Sequence, residues 1–89
     1  MISRKLTLIN KLGLHARAAN KLLDVTGQFS SNIQVSHGSN CANAKSIMSV
    51  MLLAAPVGSE LVFEIEGSDE AAAADAIEAL IAARFGEGE

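Results

Sequence analysis

Three stretches of the chain alternate apolar with polar residues, and between them the hydrophobic period lengthens to that of a helix. Ile2, Leu6 and Leu8 alternate with Ser3, Lys5 and Thr7, with Arg4 as the one inward exception. Ile33 and Val35 flank Gln34, and Leu61, Phe63 and Ile65 alternate with Glu60, Val62, Glu64 and Glu66. A period of two places one face of a sheet against a core and leaves the other in water. From Ala16 onward, Ala19, Leu22, Leu23 and Thr26 instead share one helical face. Gly27 is expected to stop that helix in a left-handed cap. Ser36-His37-Gly38-Ser39 reads as a hairpin turn, with Cys41 and Ala42 on the returning strand. Ser46 caps a short helix through Ile47-Met48-Ser49-Val50-Met51-Leu52-Leu53, ended by Pro56 and Gly58. After a turn at Gly67, Ser68 is expected to cap an Ala-rich helix with Asp69 and Glu70 in its first turn. Its buried stripe is Ile77, Leu80, Ile81 and Phe85, Gly86 ends it, and Glu87-Gly88-Glu89 is expected to fray.

The order β-α-β-β-α-β-α with one-sided elements predicts an α+β fold. It is a two-layer open-faced sandwich, a four-stranded antiparallel sheet with three helices on one face. Lys5, Thr7, Gln34, Glu64 and Glu66 suit a sheet face left open to water. At 89 residues the chain reads as a single domain, 1–89, too small to enclose a large substrate in a deep cleft. One cysteine, Cys41, excludes an internal disulfide and favours a reducing, cytoplasmic setting. The longest uninterrupted apolar run, Val50 to Val57, is too short to span a bilayer, so no membrane partner is expected. Six basic side chains and one acid lie in residues 1–59, against nine acids and one base in 60–89. No Trp, no Tyr and no dense basic stripe argue against nucleic-acid binding.

His15 is the residue most able to do chemistry. It stands between the first strand and the first helix in Gly13-Leu14-His15-Ala16-Arg17. The first N–H groups of a helix have no intrahelical partner, and the helix dipole adds positive potential there. An anion fits such a place, and a cation does not, so a neutral, nucleophilic imidazole is expected. A phosphoryl group carried on the ring would lie over free N–H groups and within reach of Arg17. The alternative is that His15 is only a weak N-cap, in a position Ser, Thr, Asp or Asn would fill better. Hydrolysis fits poorly, because Asp24 is the only acid before residue 60. His15, His37 and Cys41 lack a metal-ligand spacing, so no metal and no cofactor are expected.

The run Asn10-Lys11-Leu12-Gly13-Leu14-His15-Ala16-Arg17-Ala18-Ala19 resembles the active-site signature of the HPr family, histidine phosphocarriers of the bacterial phosphoenolpyruvate-dependent phosphotransferase system. Ala44-Lys45-Ser46-Ile47-Met48-Ser49-Val50-Met51 resembles the family's second signature, and length and element order agree over essentially the whole chain. The Ala-rich C-terminal part and the residues around His15 look closer to the nitrogen-branch members, called NPr, than to the sugar-transport ones. The resemblance implies that His15 takes a phosphoryl group on Nδ1 from Enzyme I, or its nitrogen-branch form, and passes it to an Enzyme IIA-type protein. Arg17 would balance charge on the moving group, with backbone donors from Ala16 and Arg17. The family usually has Pro where this chain has Ala18, and Ala18 restores one N–H near the phosphate.

In many members the serine matching Ser46 is phosphorylated by an HPr kinase/phosphorylase; independently of that, Ser46 is expected to cap its helix. The resemblance also implies a monomer that docks partners through Leu14, Ile47, Met48 and Met51, edged by Asn20 and rimmed by Lys21 and Lys45. The same apolar side chains read equally as core. Two other functions compete with the carrier: a non-catalytic regulatory module binding a small anion, and an acyl carrier using Ser46, which lacks the acidic context such carriers have.

Overall fold

A computed structural model describes residues 1–86. The strands are β1 (Ile2–Thr7), β2 (Asn32–His37), β3 (Asn40–Asn43) and β4 (Glu60–Glu66), and the helices are α1 (Ala16–Thr26), α2 (Ile47–Leu52) and α3 (Glu70–Ala82). All strand pairs are antiparallel, in the order β1-β4-β2-β3. This is the α+β open-faced sandwich that the alternating strands predict. Ile2 and Ile33 flank Ile65, and Val35 links Phe63 to Ala42, so the helix-facing rows are apolar except where β1 places Arg4. Phe63, Ile65, Leu61, Leu22, Ile77 and Val50 are fully buried between sheet and helices. Among the described residues no helix is long and apolar enough to cross a membrane.

Arg4 shares that inward face, in register with Phe63. It escapes burial of its charge by reaching α3, where Nη1 lies 2.6 Å from Glu78 Oε1 and Nη2 lies 3.4 Å from Asp75 Oδ1. The exception in the β1 pattern is thus an ion-pair strut across the edge of the sheet.

Several boundaries differ from the sequence expectation. Gly27 is right-handed (φ −68°), because the chain leaves α1 through further tight turns, Gln28 N–H to Val25 C=O and Phe29 N–H to Thr26 C=O. His37 belongs to β2, paired with Asn40, so the hairpin turn contracts to Gly38-Ser39. α2 ends at Leu52, short of Pro56. α3 is preceded by Asp69 in the cap position, not Ser68, and the Asp69 carboxylate turns away to Ser30 and Ser31. α3 closes at Ala82, and Phe85 enters the core from a turn in which Arg84, Phe85 and Gly86 all have positive φ. The expectation for Glu87-Gly88-Glu89 lies outside the described residues.

Candidate functional site

The site begins where β1 ends. Leu8 is fully buried and exchanges main-chain hydrogen bonds with the segment before β4: its N–H reaches Ser59 C=O (2.9 Å) and its C=O takes Gly58 N–H (2.8 Å). The chain then folds over itself. Gly13 N–H bonds Asn10 C=O at 3.1 Å, and buried Asn10 donates Nδ2 to Gly13 C=O at 2.7 Å. Gly13 is left-handed (φ +66°), and a Cβ there would lie 2.5 Å from the Ala55 carbonyl oxygen. Only glycine allows the two loops to touch. Leu14 follows, buried, with its N–H on Ala55 C=O at 2.9 Å.

His15 is the N-cap of α1, extended at φ −87°, ψ 179°. Its imidazole makes no capping bond to the helix and stays half-exposed. The first bond of the helical ladder runs from Ala19 N–H to His15 C=O at 2.8 Å. The N–H groups of Ala16, Arg17 and Ala18 therefore precede the ladder and carry the positive end of the helix dipole. Ala16 and Arg17 are exposed, while the Ala18 side chain faces the core. Geometrically this is an imidazole beside a bank of backbone donors, with one exposed guanidinium on the same turn. Such an arrangement can take up and release an anionic group.

The second signature sits on α2, which packs against α1. Ser46 caps α2, its Oγ accepting Ser49 N–H at 3.4 Å. Val50 and Leu53 turn inward and Ile47 is half-buried against the core. Met48 and Met51 face water at 71% and 44% exposure, and Leu52, which sequence reasoning did not single out, is 80% exposed. The signal for Leu52 was present: positions 48, 51 and 52 form an i, i+3, i+4 stripe opposite the inward one. A short helix on one sheet can bury only one stripe.

Other expected docking residues fall elsewhere. Leu14 is core, because its N–H is drawn in to Ala55, and it does not extend the exposed stripe. Asn20 is exposed on α1. Lys21 Nζ is tied to Phe85 C=O and Lys45 Nζ to Phe29 C=O, each at 2.6 Å, so both ammonium groups brace main chain. Leu12, 66% exposed in the loop before His15, is a further apolar side chain that sequence reasoning left aside. Cys41 is exposed on β3. No group of three or more His, Cys, Asp or Glu among the described residues is arranged to hold a metal ion.

The family model described as the PTS HPr component phosphorylation site matches residues 2–83. Phosphocarrier protein HPr of Cupriavidus necator is 54% identical over 89 residues, and that of Neisseria meningitidis serogroup B is 46% identical over 89, each covering all of both chains. The crystal structure of HPr-C-His from Thermoanaerobacter tengcongensis superimposes with a TM-score of 0.96 at 38% identity over the whole of both chains. HPr from Bacillus anthracis gives 0.86 at 32% identity, covering 90% of this chain and 95% of that one. With fold, both signatures and near-complete coverage in agreement, this chain belongs to the HPr family of phosphocarrier proteins.

Proposed function

We propose that the protein is a phosphoryl carrier working through His15. The observation that carries this reading is the position of the ring: half-exposed at the cap of α1, beside the N–H groups of Ala16, Arg17 and Ala18. His15 Nδ1 attacks the phosphorus of the phosphohistidine on Enzyme I, itself charged from phosphoenolpyruvate. A new N–P bond forms on His15 as the donor's N–P bond breaks, and the donor imidazole leaves. The reverse arrangement hands the group to a histidine of an Enzyme IIA-type protein. Backbone donors and the Arg17 guanidinium balance the charge on the phosphoryl oxygens in both directions. The exposed dipole is worth only about 0.3–1 kcal/mol, which suits a group that must be held briefly and passed on. Met48, Met51 and Leu52 supply a docking stripe that can repack against different partners.

Phosphorylation of Ser46 would place about −1.5 to −2 charge at the start of α2, beside that stripe, and repel an acidic partner surface without unfolding the helix. The nitrogen-related branch is favoured by the Ala-rich α3 and by the residues around His15.

Incubation with phosphoenolpyruvate and Enzyme I from each branch, side by side, tests both levels of the proposal. One acid-labile phosphoryl per chain is expected, taken faster from the nitrogen-branch donor and absent from His15→Ala. Equal labelling of His15→Ala defeats the site assignment, and preference for the sugar-branch donor defeats the branch assignment alone.

A further inference from the structure

Ala54 is one of three non-glycine residues among those described with a positive φ, and it is the one beside the His15 loop. Its φ is +49°, a conformation in which a Cβ crowds the following carbonyl and which glycine adopts at no cost. Nothing buries it; the side chain is exposed. The strain therefore has no packing gain at Ala54 itself, and its effect has to be sought along the backbone.

That effect is on the next peptide. Ala54 N–H still bonds Met51 C=O at 3.1 Å, as the last turn leaving α2. The left-handed residue leads directly into buried Ala55 and its C=O. That oxygen takes Leu14 N–H at 2.9 Å and is the atom a Cβ on Gly13 would strike. Leu14 is the residue before His15, and His15 N–H bonds Gly13 C=O at 3.0 Å. A continuous chain of main-chain contacts thus runs from the end of α2 to the start of α1.

We infer that Ala54 is a positioning residue for His15. Its left-handed backbone aims the Ala55 carbonyl that holds Leu14 and so fixes where the imidazole stands over the first N–H groups of α1. This rests on the carrier reading of His15. It adds that the α2–β4 connection, acting through the Ala55 carbonyl, sets the rate at which the ring is charged. A displacement of the ring by about 1 Å is enough to cost a hundredfold in a transfer that depends on alignment.

The test compares Ala54→Val, which the left-handed region excludes, with Ala54→Gly and Ala54→Asn, which it admits. Initial rates of His15 phosphorylation by phospho-Enzyme I are measured alongside amide exchange at Leu14 and at core residue Phe63. Ala54→Val is expected to lose at least tenfold in rate and to speed exchange at Leu14 while Phe63 stays protected. Ala54→Gly and Ala54→Asn are expected to keep the wild-type rate. Should Ala54→Val fail to fold, a chemically synthesised chain with an ester in place of the Leu14 amide removes the same donor alone, and a tenfold loss is again expected. A folded Ala54→Val, or the ester chain, charging at the wild-type rate overturns the inference while leaving the carrier reading intact. An Ala54→Asn as slow as Ala54→Val overturns it too, and a wild-type chain that takes no label removes both.

Discussion

The Asp69 carboxylate gathers donors from both Ser30 and Ser31. It accepts Ser30 N–H at 2.9 Å, Ser31 N–H at 3.0 Å, Ser30 Oγ–H at 3.3 Å and a short bond from Ser31 Oγ–H. The Ser31 hydroxyl, then the Ser30 amide, hold its pKa down to about 2. Because the folded value is depressed, the stabilisation is complete above the unfolded carboxylate pKa near 4 and is lost as pH falls through about 2. Denaturant titrations between pH 5 and pH 2 should show Asp69→Asn less stable than wild type at pH 5, with the difference narrowing steadily toward pH 2. A constant difference across that range would assign the effect to shape rather than charge. At Ala54, replacement by Gly should stabilise the fold by about 0.5–1 kcal/mol in the same assay, the relief of a left-handed Cβ exceeding the added entropy of the unfolded chain. Neither residue announces these roles in sequence. Asp69 reads as an ordinary first-turn acid because its partners lie 38 and 39 positions away. Alanine gives no local sign of a left-handed turn.

The elements themselves are far more legible, since each is set by local patterning. The β4 alternation, the α1 stripe and the Ser46 cap all fall where the residues dictate, because period and capping chemistry act within a few positions. Element ends are less legible because distant groups decide them. The C-terminal turn at Arg84–Gly86 is held by Lys21 Nζ on Phe85 C=O, from a helix 64 residues earlier. Lys21→Met should therefore cost about 1–2 kcal/mol and loosen the Phe85 region, read as faster amide exchange there. Removing the Ser46 cap by Ser46→Ala should cost about 0.5–2 kcal/mol, whatever happens to phosphorylation at that position. The site was legible to the same degree: His15 as the cap of α1 follows from the change of period. The burial of Leu14 depends on the Ala55 carbonyl, and the diversion of Lys21 and Lys45 on other distant ones.

For the molecule as a whole, the sheet, the helices and the His15 loop form one coupled layer structure. Phe63 lies at its centre, fully buried in register with Arg4 on one side and Val35 on the other. Phe63→Ala should cost about 3–5 kcal/mol in equilibrium unfolding, a large share of what a domain of this size holds. The uneven charge of the sequence is partly balanced in the fold: Arg4 pairs with Glu78 and Asp75 of α3, while Lys21 and Lys45 keep their charge and donate to main-chain carbonyls. Arg17 remains exposed on the first turn of α1. The central claim is that this ring carries the phosphoryl group. Phosphorus and nitrogen NMR of the chain charged by phosphoenolpyruvate and Enzyme I tests it most directly. One phosphoryl bonded to Nδ1 of His15 is the predicted result; a phosphoryl on any other residue, or none at all, would contradict it.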